Sequence, residues 1–214
     1  MATRAKHEVY NSRAKSYGFL MNLVRYPQTL KFLLSRIPIE IPANAKILDL
    51  GCGTGLATQP LKKRFAGAEI TGIDFSREMI RIYKSNFSSA CAIAGDFNDE
   101  SSFLLHPGKT KIGLPNNYFD LVISTGALSE YGKPEKVMPF IHDKLKKNGI
   151  LINIGVNKNF LSSLVGIVWK YSTIGKNGFI AQCRNFGFND IKSIPIPLKF
   201  FPNNYWRHVV KAKK

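Results

Sequence analysis

Cysteine is scarce in this chain: three residues, Cys52, Cys91 and Cys183, in 214. Their odd number and wide spacing exclude a disulfide framework, and they lack metal-ligand spacing. The expected metal complement is therefore none, and the expected compartment is a reducing cytoplasm. Long apolar runs are also missing. A membrane-spanning helix needs about 20 apolar residues, and the longest candidate, Leu161 to Trp169, is far shorter and reads as a buried helix. The opening Met1-Ala-Thr-Arg-Ala-Lys has no apolar stretch behind its charges, so no secretory signal is expected. Acidic residues are few, 14 against 31 Lys and Arg, and the net charge is +17. From Lys144 onward there are 13 basic residues and one acid, Asp190, or +12 for the last third. Such a field attracts phosphates, nucleic acid or an anionic surface. No basic run of five occurs, and dispersed lysines equally suit a chain kept soluble by charge.

The pattern that is present is short β-type runs alternating with helical ones, which argues for a mostly parallel sheet covered on both faces. Strands are predicted at Lys46–Leu50, Glu69–Asp74, Ala90–Ala94, Phe119–Ser124 and Gly149–Val156. Helices are predicted at Leu56–Phe65, Arg77–Lys84, Pro134–Leu145 and Leu161–Tyr171, with Pro134 in a first turn and Asn148-Gly149 turning into the next strand. Two β-like runs, Asp190–Ile196 and Tyr205–Lys211, close the chain. Residues 1–45 read as a helical segment ahead of a core of residues 46–214.

The strongest local signal is Ile47-Leu48-Asp49-Leu50-Gly51-Cys52-Gly53-Thr54-Gly55, a buried strand running through three glycines into a helix. Glycines there permit a tight turn and let backbone N–H groups approach a ligand. About 20 residues on, the second strand ends in Asp74, where a carboxylate can accept both hydroxyls of a ribose. Asp74 could instead cap the next helix, but Ser76 serves equally well. The third strand ends in Ala94-Gly95-Asp96-Phe97, a second acid able to accept from an adenine amino group. All three sites sit at the carboxyl ends of adjacent strands, where open α/β sheets bind ligands. The loop spacing departs from the dinucleotide Gly-x-Gly-x-x-Gly, and Asp49 would repel a pyrophosphate but suit the ammonium of an amino acid. A nucleoside with an amino-acid tail fits better than NAD.

At these residues the chain resembles the class I S-adenosylmethionine (SAM) dependent methyltransferases. Asp49-Leu-Gly51-Cys52-Gly53-Thr-Gly55 resembles their first motif and Gly72-Ile-Asp74-Phe75-Ser76-Arg-Glu-Met79 their second. The resemblance implies a doubly wound, Rossmann-like α/β/α sandwich of seven strands, the last antiparallel. It implies Asp74 on the ribose, Phe75 and Met79 flanking the adenine, Asp96 with the Phe97 backbone at its edge, and Ser124 beside the methionine moiety. S-adenosylhomocysteine (SAH) would be the product. A narrower likeness, over Val9 to Asn22, is to the ubiquinone and menaquinone methyltransferases and related small-molecule enzymes. It implies a lid in which Tyr17 approaches the methyl-transfer site and Tyr10 the acceptor; both could equally be an aromatic stripe packed on the core. Gly18 replaces the aspartate expected after Tyr17.

The acceptor-facing loop in this family corresponds to Thr125 to Tyr131, offering Ser129, Glu130 and Tyr131. Glu130 is its one acid: a proton acceptor, or a solvated loop carboxylate. Strand four lacks the Asn-Pro-Pro-Tyr type run of exocyclic-amino base methyltransferases, and no Pro-Cys supports pyrimidine C5 chemistry. A small-molecule acceptor is the leading expectation. RNA or protein as acceptor is the alternative, suggested by the basic last third and by Phe200, Phe201, Tyr205 and Trp206. A non-catalytic SAM- or NAD-binding protein is the second alternative.

Overall fold

A computed structural model describes residues 18–108, 110–159, 162–163 and 173–214. The apolar runs become the middle of an eight-stranded sheet. Its strands are β1 (Lys46–Leu50), β2 (Glu69–Asp74), β3 (Cys91–Ala94), β4 (Leu104–Leu105), β5 (Phe119–Thr125), β6 (Leu145–Val156), β7 (Asn189–Ile194) and β8 (Arg207–Lys213), in the order β4-β3-β2-β1-β5-β6-β8-β7. Strands β3, β2, β1, β5 and β6 are parallel. β8 runs antiparallel to both its neighbours. The expected seven strands gain an eighth, because Leu104–Leu105 hydrogen-bonds antiparallel to Ile93–Ala94 on the exposed edge of β3. Two residues carry no periodicity to read.

Side-chain alternation divides the sheet into two apolar layers. Ile47, Leu121, Ile123, Ile150, Ile152 and Val209 join one layer; Leu48, Leu50, Val122, Leu151 and Val210 join the other. Burial on both faces explains why these strands read as continuous apolar runs. The first layer is covered by α1 (Tyr26–Arg36), through Tyr26, Leu30, Leu33 and Leu34, and by Leu61 of α2 (Thr58–Arg64). The described part of residues 1–45 thus packs into the same core as the sheet. α3 (Arg77–Asn86) sets Ile80 and Tyr83 against Cys52 and Ala92. The second layer is covered by α5 (Pro134–Lys144), which follows the single turn α4 (Leu128–Tyr131), and by α6 (Gly175–Asn185). A last turn, α7 (Asn203–Trp206), precedes β8.

α6 is absent from the sequence-based expectation, since Gly175, Asn177 and Gly178 weaken its helix propensity. It is held by tertiary packing, with Phe179 and Cys183 buried in the second layer. The helix expected at Leu161–Tyr171 falls outside the described residues. Asn148 adopts φ 63° where a turn into β6 is expected. Leu145 pairs ahead of that turn and Ile150 resumes the ladder after it. Among the described residues, no helix is long and apolar enough to cross a membrane.

Candidate functional site

The glycine loop leaves β1 and folds back over β2: the N–H groups of Gly51 and Cys52 both donate to the Ile73 carbonyl, at 2.8 and 3.0 Å. Gly51 has φ +71°, and a Cβ built on it would land on the Ala127 methyl. Gly53 has φ +53°, with nothing within 4 Å of a Cβ. These two glycines therefore answer to different demands, one to packing and the other to open space. Gly51→Ala is expected to cost about 2–4 kcal/mol of stability from strain plus overlap, and Gly53→Ala about 1 kcal/mol from strain alone. Urea unfolding of the two variants checks the contrast.

Asp74 holds this loop in place. Its Oδ2 accepts the Gly53 N–H at 3.0 Å and its Oδ1 the Ser76 N–H at 2.8 Å. Ser76, not Asp74, caps α3, its Oγ accepting from the Met79 N–H at 3.2 Å. A carboxylate offers about four lone-pair sites, so Asp74 retains acceptors for two hydroxyls above Gly53. Burial raises its pKa to about 6, against the lowering effect of the two N–H groups.

Asp49 is fully enclosed beneath the loop. Its Oδ2 accepts from the Thr58 hydroxyl at 2.8 Å, while its Oδ1 is buried without a hydrogen-bond partner among the described residues. Burial lifts its pKa to about 7, the Thr58 bond lowers it, and the charge of Asp74 raises it further. An uncompensated acceptor behind a glycine loop suits a cation arriving at that loop. Cys52 lies under the same loop, and burial with the charges of Asp49 and Asp74 pushes its thiol well above the ordinary value, which keeps it protonated and unreactive. Thr58 and Tyr83, whose hydroxyls lie 3.3 Å apart, complete this pocket. Neither stood out in the sequence, since both read as ordinary helix residues.

Toward β3 the carboxyl edge opens into a cavity of about 640 Å³ lined by Phe75, Arg77, Asp96, Asn98 and Lys133 among others. The Asp96 Oδ1 accepts from the Asn98 N–H at 2.9 Å and from its Nδ2 at 2.7 Å. Phe97 is buried behind it, and Met79 is buried on α3, so of the two residues implied beside the adenine only Phe75 lines the cavity.

The acceptor-side residues form a buried network. Ser124 Oγ accepts from the Leu128 N–H at 3.0 Å and so closes the loop after β5. Glu130 is 5% exposed, buried rather than a solvated loop carboxylate. Its Oε1 accepts from the Val156 N–H at 2.8 Å and its Oε2 from Ser129 Oγ at 3.1 Å. Burial raises the Glu130 pKa, chiefly opposed by the Arg207 charge. The Arg207 guanidinium lies 3.7 Å from the Tyr26 ring centroid. Asn153 Nδ2 reaches Ser129 Oγ at 3.3 Å and His208 Nε2 at 3.4 Å. Asn153, Arg207 and His208 were not singled out in the sequence. They meet here because β8 is antiparallel, so its first residues stand at the carboxyl edge, Arg207 opposite Val156. Tyr10 and Tyr17 lie outside the described residues, as does the Tyr131 side chain.

Four lysines of the basic last third are bonded within the fold. Lys144 is buried, donating to the Leu114 carbonyl and pairing with Glu100 at 3.1 Å. Lys211 donates to the Pro38 carbonyl, Lys214 to Asn117 and the Leu145 carbonyl, and Lys192 pairs with Asp190. Phe200 is buried while Phe201 and Tyr205 are exposed.

Comparison with known proteins agrees with this geometry. A methyltransferase-domain family model matches residues 48–153. The chain is 32% identical over 120 residues to trans-aconitate 2-methyltransferase of Delftia acidovorans, covering 56% of this chain and 40% of that protein. It is 28% identical over 170 residues to the mitochondrial ubiquinone biosynthesis O-methyltransferase of Rattus norvegicus, covering 72% of this chain and 44% of that one. It thus spans less than half the length of these curated relatives. The solved structure of a SAM-dependent methyltransferase, a possible histamine N-methyltransferase, from Thermotoga maritima superposes with a TM-score of 0.73 at 16% identity, covering 97% of this chain and 99% of that one. With its sheet order, its glycine loop and the match over residues 48–153, the chain carries a methyltransferase domain of the class I SAM-dependent kind.

Proposed function

We propose that this protein moves the methyl group of SAM to a small-molecule acceptor. The observation that carries the reading is the open space at Gly53, beside the Asp74 carboxylate that accepts its N–H, with the Phe75- and Asp96-lined cavity at the ends of the neighbouring strands. The residues fit the cofactor. Asp74 would hold the ribose, Phe75 and Asp96 the adenine, and the Gly51–Gly55 backbone the methionine end, with Asp49 supplying negative charge from beneath. SAM supplies a sulfonium whose methyl is already activated. What the chain must add is alignment of the acceptor and exclusion of water. Glu130 acts there as a positioning residue, tying Ser129 to the end of β6, and no base is assigned.

Relatives named for trans-aconitate, malonyl-acyl carrier protein and a ubiquinone precursor pathway support a small-molecule acceptor. The RNA or protein alternative has less support, because Lys144, Lys192, Lys211 and Lys214 are engaged within the fold. Three free cysteines accord with a reducing cytoplasm. Calorimetry is expected to show SAM and SAH binding, with NAD and ATP silent. Tighter binding of NAD would overturn the assignment.

A further inference from the structure

We propose that the acceptor is an anion, its carboxylate or phosphate group held by Lys158 and Lys176 in a cleft at the carboxyl end of β6. The word acceptor rests on the methyl-transfer reading above; the cleft's affinity for an anion does not. The cleft encloses about 610 Å³ and is lined by Asn157, Lys158, Asn159, Ile174, Lys176 and Tyr205 with other residues, none of them acidic. Several lysines elsewhere are bonded to carboxylates or carbonyls of the fold. Lys158 and Lys176, by contrast, have no ion-pair partner among the described residues. Two exposed lysines among the residues lining one cleft, with no carboxylate among the others, favour an anionic occupant.

The cleft is placed for the reaction. Asn157 directly follows β6, whose neighbour β5 ends at Thr125, one strand spacing of about 4.8 Å away. Its wall is joined to the acceptor-side network, since the Ile174 N–H donates to the Ser129 carbonyl at 3.3 Å. The floor is fixed: Asn157 donates its backbone N–H to the Trp206 carbonyl at 2.6 Å, and its Nδ2 to the Tyr205 and Arg207 carbonyls at 3.1 and 3.0 Å. Asn157 Oδ1 lies 3.2 Å from His208 Nδ1. These bonds occupy the Asn157 amide, so the positive charge among the lining side chains comes from the two lysines. The local field agrees, since burial first, then the charges of Arg207 and Lys176, lower the His208 pKa to about 4 and keep that imidazole neutral. α6 begins at Gly175, whose N–H donates to Thr173 Oγ1 at 3.1 Å, and the positive end of the helix adds to the same attraction. The lysines carry the specificity.

The test titrates inorganic phosphate and, separately, citrate into the full chain at fixed ionic strength, with and without SAH, while backbone amide NMR signals are followed. Saturable shifts are expected at Lys158, Gly175, Lys176 and Asn177. The K158Q/K176Q double variant should bind about tenfold more weakly or worse, and the control K62Q/K63Q, on α2, should match the native chain. The tighter of the two anions identifies phosphate or carboxylate as the recognised group. Absence of saturable shifts at the cleft with both anions, or equal loss in the control, overturns the proposal. With labelled SAM, acceptors turned over should carry an anionic group, and the double variant should raise KM with kcat unchanged. Turnover of an uncharged acceptor with KM unaffected by K158Q/K176Q overturns it too. Intact anion binding with no SAH binding would instead defeat the methyltransferase reading and leave the cleft standing.

Discussion

Asp74→Ala is expected to weaken SAH binding by roughly 2–4 kcal/mol, the sum of two lost hydrogen bonds to a charged acceptor less what water restores. Asp74 ends β2 with one oxygen on the Gly53 N–H and the other on the Ser76 N–H, so it both presents lone pairs to a ribose and fixes the loop that would approach the cofactor. The substitution should therefore also loosen the loop. Amide exchange at Gly53 should accelerate in the variant even without ligand, while exchange in β5 stays slow. Calorimetry with SAH reads the first effect and hydrogen exchange the second. Unchanged affinity would remove Asp74 from the site, and unchanged exchange at Gly53 would deny it the loop.

Asp49→Asn is expected to change how stability depends on pH. Burial raises the Asp49 pKa from 3.8 to about 7, so between those values the folded protein keeps a proton that the unfolded chain releases. Its contribution is therefore full below about pH 4 and is lost as pH rises toward 7, on the order of 4 kcal/mol in all. Asp74, raised to about 6, adds a loss of the same sign over a narrower window. Asp99 and Asp190 have lowered pKa values and act in the opposite direction. The readout is thus the difference between native chain and variant. Urea unfolding at about pH 5 and about pH 8 should show the difference in stability shifting in the variant's favour at the higher pH, by a few kcal/mol. A difference that is flat with pH would mean Asp49 titrates as an ordinary carboxylate. A cation bound at the loop favours ionised Asp49, so SAH binding near neutral pH should release protons, seen as a buffer-dependent heat.

Features with a local cause can be read directly from neighbouring residues. The buried runs at Ile47–Leu50 and Phe119–Ser124 announce parallel strands because both faces must be apolar. The glycines at 51, 53 and 55 announce a loop because glycine adopts φ between +53° and +94° without the steric cost that a side chain incurs there. Ser76 announces a helix start by its position before Arg77. Asp74 and Asp96 were legible as edge carboxylates from their place at strand ends. The tertiary structure alone decided what depends on residues distant in the chain. Glu130 reads as an open loop acid, yet its oxygens meet Val156 N–H, 26 residues on, and it becomes a buried tie. Lys211 reads as surface charge, yet its ammonium reaches the Pro38 carbonyl, 173 residues away. Arg207 and His208 arrive at the acceptor edge only because β8 reverses against β6. Local spacing fixes backbone conformation within a turn or two, whereas burial and partners are set by which strands become neighbours, and that is a property of the assembled sheet.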